Sequence, residues 1–378
     1  MLEERRANMK RVLNIIKTNI VMIIALILAL ITMIFVPPDA EYLGYFDFKT
    51  LTCLFTTLAV VCALRNVRFF YTVAEKIIKF FKNTRLAVIA LIYITFIGSM
   101  ILANDMALLT FLPLGYFVLL SSGKEKYMCV TFILQNIAAN LGGMLTPFGN
   151  PQNLYLYSKF NIPDGEFILI MLPLFLVSIF MITVCCIIFV KPEPIEFNGV
   201  ERKLPPIKIT VYFVLFALAI LSVFNVVPYI VALIAVPTVI LIMDRRALLN
   251  VDYGLLLTFV FFFIFSGNMA RIDIVRDFLS FLLEKGTLLV SALCCQFMSN
   301  VPTAILLSQF TENYKELLMG VNIGGCGTII SSLASLITFR EYSSHNPGKG
   351  GKYLLVFSLF NFAFLGILLL LSFLLLAI

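Results

Sequence analysis

Apolar runs of about 17 to 25 residues recur along the whole chain, the length an α-helix needs to cross a bilayer. They fall at 19 to 36, 47 to 64, 166 to 190, 209 to 227, 228 to 243, 253 to 267 and 353 to 376. Two more, at 127 to 160 and 317 to 340, are interrupted by glycines and small polar residues. Barrel strands would show short alternating segments instead, so the pattern predicts an all-α protein with about nine spans. Segments 86 to 121 and 287 to 310 are also apolar but turn at polar centres, Asn104-Asp105 and Ser299 to Pro302. A polar break at membrane depth is tolerated only where protein buries it or it lines a wet cavity. Both segments therefore predict re-entrant hairpins. Two straight spans joined by a polar turn is the other way to read the first.

The interruptions are written twice. Asn140-Leu-Gly-Gly-x-x-Thr146 continues to Gly149-Asn150-x-x-Asn153-Leu154, and Asn322-Ile-Gly-Gly-x-x-Thr328 continues to Ser331-Ser332-x-x-Ser335-Leu336. Each copy follows a matched tip, Ala103-Asn104-Asp105 in the first and Ser299-Asn300-Val-Pro-Thr303 in the second. Further back, Asp47-Phe-Lys-Thr-Leu, a span and the amphipathic stretch Val67 to Asn83 can be laid over Asp252-Tyr-Gly-Leu-Leu, a span and Met269 to Lys285. This predicts a segment 1 to 18, a first repeat over 19 to 190, a proline-marked linker over 191 to 208 and a second repeat over 209 to 378. The additional span at 209 to 227 inverts the second repeat, so the two hairpins enter from opposite sides, the geometry of alternating access.

Composition supports the class: 61% hydrophobic residues, 13% charged and a mean hydropathy of +1.01 stand far from the charged fraction of about 25% in soluble domains. The net charge of +7 raises nucleic acid as a partner, but its placement argues otherwise. Sorted by alternate sides, most Lys and Arg fall with the N-terminus, among them the cluster Arg65 to Arg85, Lys124, Lys126, Arg245, Arg246 and Arg340. The positive-inside rule then predicts a plasma (inner) membrane protein with a cytoplasmic N-terminus and linker and an outside C-terminus. Nucleic acid is not an expected partner; the bilayer is. The eight cysteines lie in apolar segments without CxxC or metal spacing, as small buried residues do. The first span has basic residues before it but no small-residue cleavage site after it, as a retained anchor would.

Glycines and prolines inside the broken helices (Gly142, Gly143, Pro147, Gly149, Pro151; Gly324, Gly325, Gly327) leave backbone N–H and C=O groups unpaired at depth. Exposed helix N-termini attract anions, while freed carbonyls and side-chain oxygens coordinate small cations. The bland alternative is that glycines only let helices pack closely. Asp105 is the one ionisable residue of 86 to 121; a carboxylate at that depth is costly and implies function. It is expected to hold Na⁺ or a proton, or to cap the hairpin's second arm. With Asn104, Asn300 and the backbone at Gly149 and Gly327 it forms the candidate ion set. No cofactor or structural metal is expected. His345 sits in a polar loop, and no Lys or Arg is expected in the pocket.

At these residues the chain resembles the ion transporter superfamily, which includes the citrate transporter-like, arsenical pump membrane protein and divalent anion:sodium symporter families. The tips look closest to the arsenite-permease branch, and the phrase Asn140 to Asn153 is similar to the citrate-transporter-like pattern. The resemblance implies inverted repeats, substrate held between hairpin tips and broken helices, and a homodimer. Carried over, Asn104, Asp105, Ser299, Asn300 and Thr303, with Thr146, Asn150, Asn153, Thr328 and Ser332, line the site. The first tip departs from the symporters' Ser-Asn-Thr, which bears on dicarboxylate specificity. The expected function is secondary active transport of a small anion, carboxylate or inorganic oxyanion, coupled to Na⁺ or H⁺. The alternative is proton-coupled export of arsenite, or Na⁺/H⁺ antiport. A channel and a membrane enzyme fit less well, the latter because no acid–base cluster lies at depth.

Overall fold

The computed structural model describes residues 20–195 and 203–377. Among them, the chain is helical throughout, apart from an isolated antiparallel bridge between Asn83 and Pro194. The segment 1 to 18 and residues 196–202 of the linker lie outside the described residues. The first part runs α1 (Ile20–Phe35), α2 (Phe48–Asn66), α3 (Phe69–Ile78), α4 (Thr84–Leu102), α5 (Asn104–Ser121), α6 (Met128–Gly142), α7 (Pro151–Lys159) and α8 (Asp164–Phe189). The second runs α9 (Pro206–Val223), α10 (Tyr229–Leu249), α11 (Tyr253–Ala270), α12 (Asp273–Met298), α13 (Asn300–Leu307), α14 (Tyr314–Ile323), α15 (Leu333–His345) and α16 (Gly350–Leu376).

Local chemistry sets the boundaries. Asp47 accepts from Thr50 N to start α2, and Asp252 accepts from Leu255 N to start α11, the same cap at matched positions. Asn83 and Asn313 open α4 and α14 in the same manner. Gly286 leaves the helical region inside α12 and divides an outlying segment from the arm that leads to Ser299. Both helix pairs expected of the hairpins form, with turns at Ala103 and Ser299.

Nine helices among the described residues are long and apolar enough to cross a membrane, although their membership differs from the sequence expectation. The arms α4, α5 and α12 qualify. By contrast α1 has 16 residues, α10 carries Asp244 out of helical geometry, and the broken helix 317 to 340 is split into two short pieces. Burial separates core from periphery: 83% of the span at Glu125–Leu145 is buried, against 28% for α8, α9 and α16. The exposed Leu, Ile and Phe of those three helices are a lipid-facing belt. On the outside of the bundle, α1 packs along α11 and α10 along α2, so each half lends a helix to the matching element of the other.

Ion pairs mark the two ends of the bundle. At the end where Arg65, Arg68 and the Lys76 to Lys82 cluster gather, Lys124 and Lys126 meet Glu193 at 2.8 and 2.6 Å. At the other end, Arg271 pairs with Asp39 at 2.7 Å and Lys315 with Glu166 at 3.0 Å. The Glu193 strap is also held by its backbone, since Thr84 N donates to Glu193 O (2.8 Å) and Ile195 N to Lys82 O (3.1 Å).

Hydrogen bonds from Lys124, then Lys126 and Tyr127, hold the Glu193 carboxyl far below its ordinary range, at about 2. A depressed carboxylate contributes stability above its ordinary range, and that contribution is lost as pH falls toward the folded-state value. Glu193→Gln should therefore lower the Tm of the purified protein at neutral pH, with the gap to native protein closing as pH drops below 4.5. A gap independent of pH would assign the strap to its backbone bonds alone.

Candidate functional site

The two broken helices come apart in the same way. α6 ends at Gly142, makes one tight turn over Gly143–Leu145, becomes extended at Thr146 and restarts after an extended Asn150. α14 ends at Ile323 and restarts after Ser332, whose φ of −147° and ψ of 141° nearly repeat the −136° and 143° of Asn150. Two glycines are sterically required. A Cβ on Gly142 would lie 2.1 Å from the carbonyl of Phe96 on α4, and one on Gly327, at φ +122°, 2.1 Å from Gln296 Oε1 on α12. Each break is thereby pressed onto its own hairpin.

Two asparagines that end the first segments cross-brace the breaks. Asn140 Oδ1 accepts from Asn104 Nδ2 at one tip (3.0 Å) and from Ser332 Oγ in the other half (2.8 Å). Asn322 Oδ1 accepts from Asn150 Nδ2 (3.4 Å), while its Nδ2 donates to Asn153 Oδ1 (2.6 Å). Ser332 occupies the register of Asn150, so the two contacts are counterparts. Freed carbonyls are met by side-chain amides: Asn153 donates to Gly143 O and Met144 O, Asn140 to Gly325 O, and Gln296 to Gly324 O and Cys326 O. An unmet backbone group there would cost several kcal/mol.

The tips are matched as closely. Ala103 (φ 64°, ψ 152°) and Ser299 (φ 72°, ψ 158°) share a backbone region that is nearly reserved for glycine. Asn104 Oδ1 accepts from Asp105 N and Asn300 Oδ1 from Val301 N, both at 2.9 Å. Thr146 Oγ1 donates to Met100 O and Thr328 Oγ1 to Gln296 O, both at 2.9 Å, tying each break to the turn before its tip. The first tip is buried against the break at Asn140 rather than turned to a surface.

A cavity of about 70 Å³ lies where the tips meet, lined by Asn104, Asp105, Ser299, Asn300 and Ser332. It has room for a few water molecules or an ion. Its mouth is formed by the starts of α1 and α11 and by Arg340 in the later turns of α15, at the Arg- and Lys-rich end. Asp105 does not act as a hydrogen-bonding cap, and its buried Oδ1 has no hydrogen-bond partner among the described residues.

The candidate residues therefore divide. Asn104, Asp105, Ser299, Asn300 and Ser332 reach the cavity; Thr146, Gly149, Asn150, Asn153, Thr303, Gly327 and Thr328 lie behind it as its frame. Thr303, fully buried, donates to Ser299 O. The expectation of a pocket without Lys or Arg is corrected: the cavity extends outward along α15 to the exposed Arg340, which lines it. Asp252, Gln152, Asn140, Asn322 and Gln296 were not singled out by sequence reasoning; the Asn140 and Asn322 pair was visible only as the first letter of the repeated phrase. His345 stays exposed, stacked on Tyr116 at 3.7 Å.

Replacing Asn140 by Leu strips Asn104 and Ser332 of their acceptor and should cost about 1–3 kcal/mol for each orphaned group. Thermal unfolding in detergent is the check, with Asn322→Leu as its counterpart. Gly142→Ala should be at least as damaging, because the clash is with backbone; native-like Tm in either protein would contradict the frame described here.

Comparison with known proteins agrees with this architecture. Residues 9–315 match the family model described as "Citrate transporter". An uncharacterized transporter of Methanocaldococcus jannaschii is 32% identical over 82% of this chain and 85% of its own length. The inner membrane protein YbiR of Escherichia coli is 28% identical over 78% of this chain and 80% of its own. These matches, with the apolar helices and paired breaks, make the chain a multi-pass membrane transporter that belongs to the citrate transporter family.

Proposed function

We propose that the protein is a secondary transporter of a small anion, carboxylate or inorganic oxyanion, coupled to Na⁺ or H⁺ and working by alternating access in the plasma membrane. The observation that carries this reading is the cavity that brings two hairpin tips, an unpartnered carboxylate oxygen and a guanidinium together. Citrate, the anion in the family's description, is the first candidate substrate.

The roles follow from charge and geometry. Asp105, beside the freed amides and carbonyls of the first tip, takes the coupling cation or proton, which removes a negative charge that would repel the substrate. Amides Asn104 and Asn300 each keep donor capacity for a carboxylate while facing the ion with oxygen. Arg340 supplies a guanidinium at the mouth beside Asp252, a group that can pair with an anionic substrate and that arsenite, a neutral hydroxide, or Na⁺ exchanged for protons would not need. The cavity reaches the basic end, the cytoplasmic side by charge distribution. The other end is shut where Tyr155 meets Ser308 (2.8 Å) and Gln309 (3.3 Å). An inward-facing state of two inverted halves accounts for both.

Purified protein in liposomes is expected to accumulate labelled citrate or succinate above equilibrium under an inward Na⁺ or proton gradient. Asp105→Asn should retain substrate binding but lose dependence on the driving cation. Arg340→Gln should raise KM about tenfold, the effect of one removed charge in a partly screened site. No accumulation of either anion by folded protein, together with arsenite extrusion from intact cells, would replace anion uptake by export.

A further inference from the structure

At the end opposite the tip cavity's mouth, a second cavity of about 340 Å³ is lined by Asp47, Lys49, Tyr155, Ser158, Lys159 and Gln309, among others. Its walls are the counterparts of the first cavity's mouth. Asp47 and Lys49 open α2 as Asp252 and Gly254 open α11; in the register set by Asn150 and Ser332, Ser158 takes the place of Arg340. The floor is the buried Tyr155, which bonds Ser308 and Gln309 and packs on Phe263 with ring centroids 5.6 Å apart. Beyond that floor lie the tips.

The electrostatics of this cavity are one-sided. Arg271 at the same end pairs with Asp39 and Glu41, Arg276 with Asp273 and Asp277, and Lys315 with Glu166, while Lys285 lies over the Phe281 ring. Lys49 and Lys159 make no salt bridge among the described residues, and both face this cavity. Asp47, whose Oδ1 accepts from Thr50 N (2.9 Å) and Oδ2 from Thr50 Oγ1 (2.5 Å), keeps its charge and offsets one lysine, which leaves the lining net positive. Two unpaired ammonium groups in a concave, partly dry site, with the Ser158 hydroxyl and Gln309 amide beside them, make a receptor for a multivalent anion.

We propose that this second cavity is an anion-binding vestibule, in which Lys49, Lys159 and Ser158 capture a di- or tricarboxylate from outside before it passes Tyr155. The assignment rests on the anion-transport reading for what the captured solute does next. Binding itself stands apart from that reading and is tested apart from it. The first cavity sets Arg340 beside Asp105 and Asp252, the second sets Lys49 and Lys159 beside Asp47, so an anion is captured more strongly on the outside face, while the coupling gradient sets the direction of net transport.

The test places a cysteine at Ser158 and measures its labelling by a membrane-impermeant maleimide, with citrate, succinate, sulfate or phosphate present. At least one of these anions should slow labelling about threefold or more near its half-saturating concentration, an electrostatic effect that salt weakens. Protection should vanish when Lys49→Gln and Lys159→Gln are added and persist with Lys49→Arg and Lys159→Arg. In liposomes, the double Gln protein should show an outside-in KM raised about tenfold with an unchanged inside-out KM, whereas Arg340→Gln reverses the pattern. Protection without flux keeps the vestibule and removes the transport reading. Flux without protection by any of the four anions, or protection that survives both Gln substitutions, overturns the vestibule.

Discussion

Every backbone polar group inside a bilayer must find its partner within the protein, and this chain breaks two helices in that setting. The breaks are possible because Asn140, Asn153 and Gln296 satisfy carbonyls that the lost helical turns release. Because Asn140 and Asn322 also reach across from one half to the other, the halves cannot separate there without orphaning buried dipoles. The exchange of α1 and α10 between halves ties α2 and α11 to the opposite half by apolar packing. Two buried oxygens that keep no hydrogen-bond partner among the described residues, those of Asp105 and Asn150, lie at a tip and at a break.

That arrangement explains why the tips are strained. Ala103 and Ser299 hold a backbone geometry that costs on the order of 1–3 kcal/mol each, and the fold maintains it through Thr146 and Thr328. The gain is that two asparagine side chains and the first turns of α5 and α13 are presented to one cavity. Helix N-termini and amides suit an anion, while the carboxylate suits a cation. In the proposed transport reading, a shared site would couple them through charge alone, since each lowers the cost of burying the other.

Much of this was legible in the sequence. The hairpin turns fall where Asn104 and Ser299 were read, and both breaks fall on the repeated glycine phrase, because unsatisfied backbone at depth needs small and polar residues that stand out in hydrocarbon. The partners were not legible. Asn140 meets Ser332 and Asn322 meets Asn150 across almost half the chain, and no local pattern encodes such pairings. Thr303 was placed in the site by resemblance but satisfies its own helix. Charge sorting puts Arg340 on the N-terminal side at the end of the broken helix, where it is exposed, but it does not reveal that α15 starts at the break and brings its third turn to the cavity mouth. The expected spans and the helices long and apolar enough to cross differ in membership because the hairpin arms α4, α5 and α12 also have that length and composition.

The central claim is that one site at the tips opens to one side at a time. The direct measurement is the reaction of a Ser299→Cys protein with a membrane-impermeant thiol reagent applied separately to each face. Reactivity from the basic face alone at rest, falling when coupling ion and substrate are supplied together, is the predicted result. Equal reactivity from both faces at once would mean a continuous pore and would contradict the account.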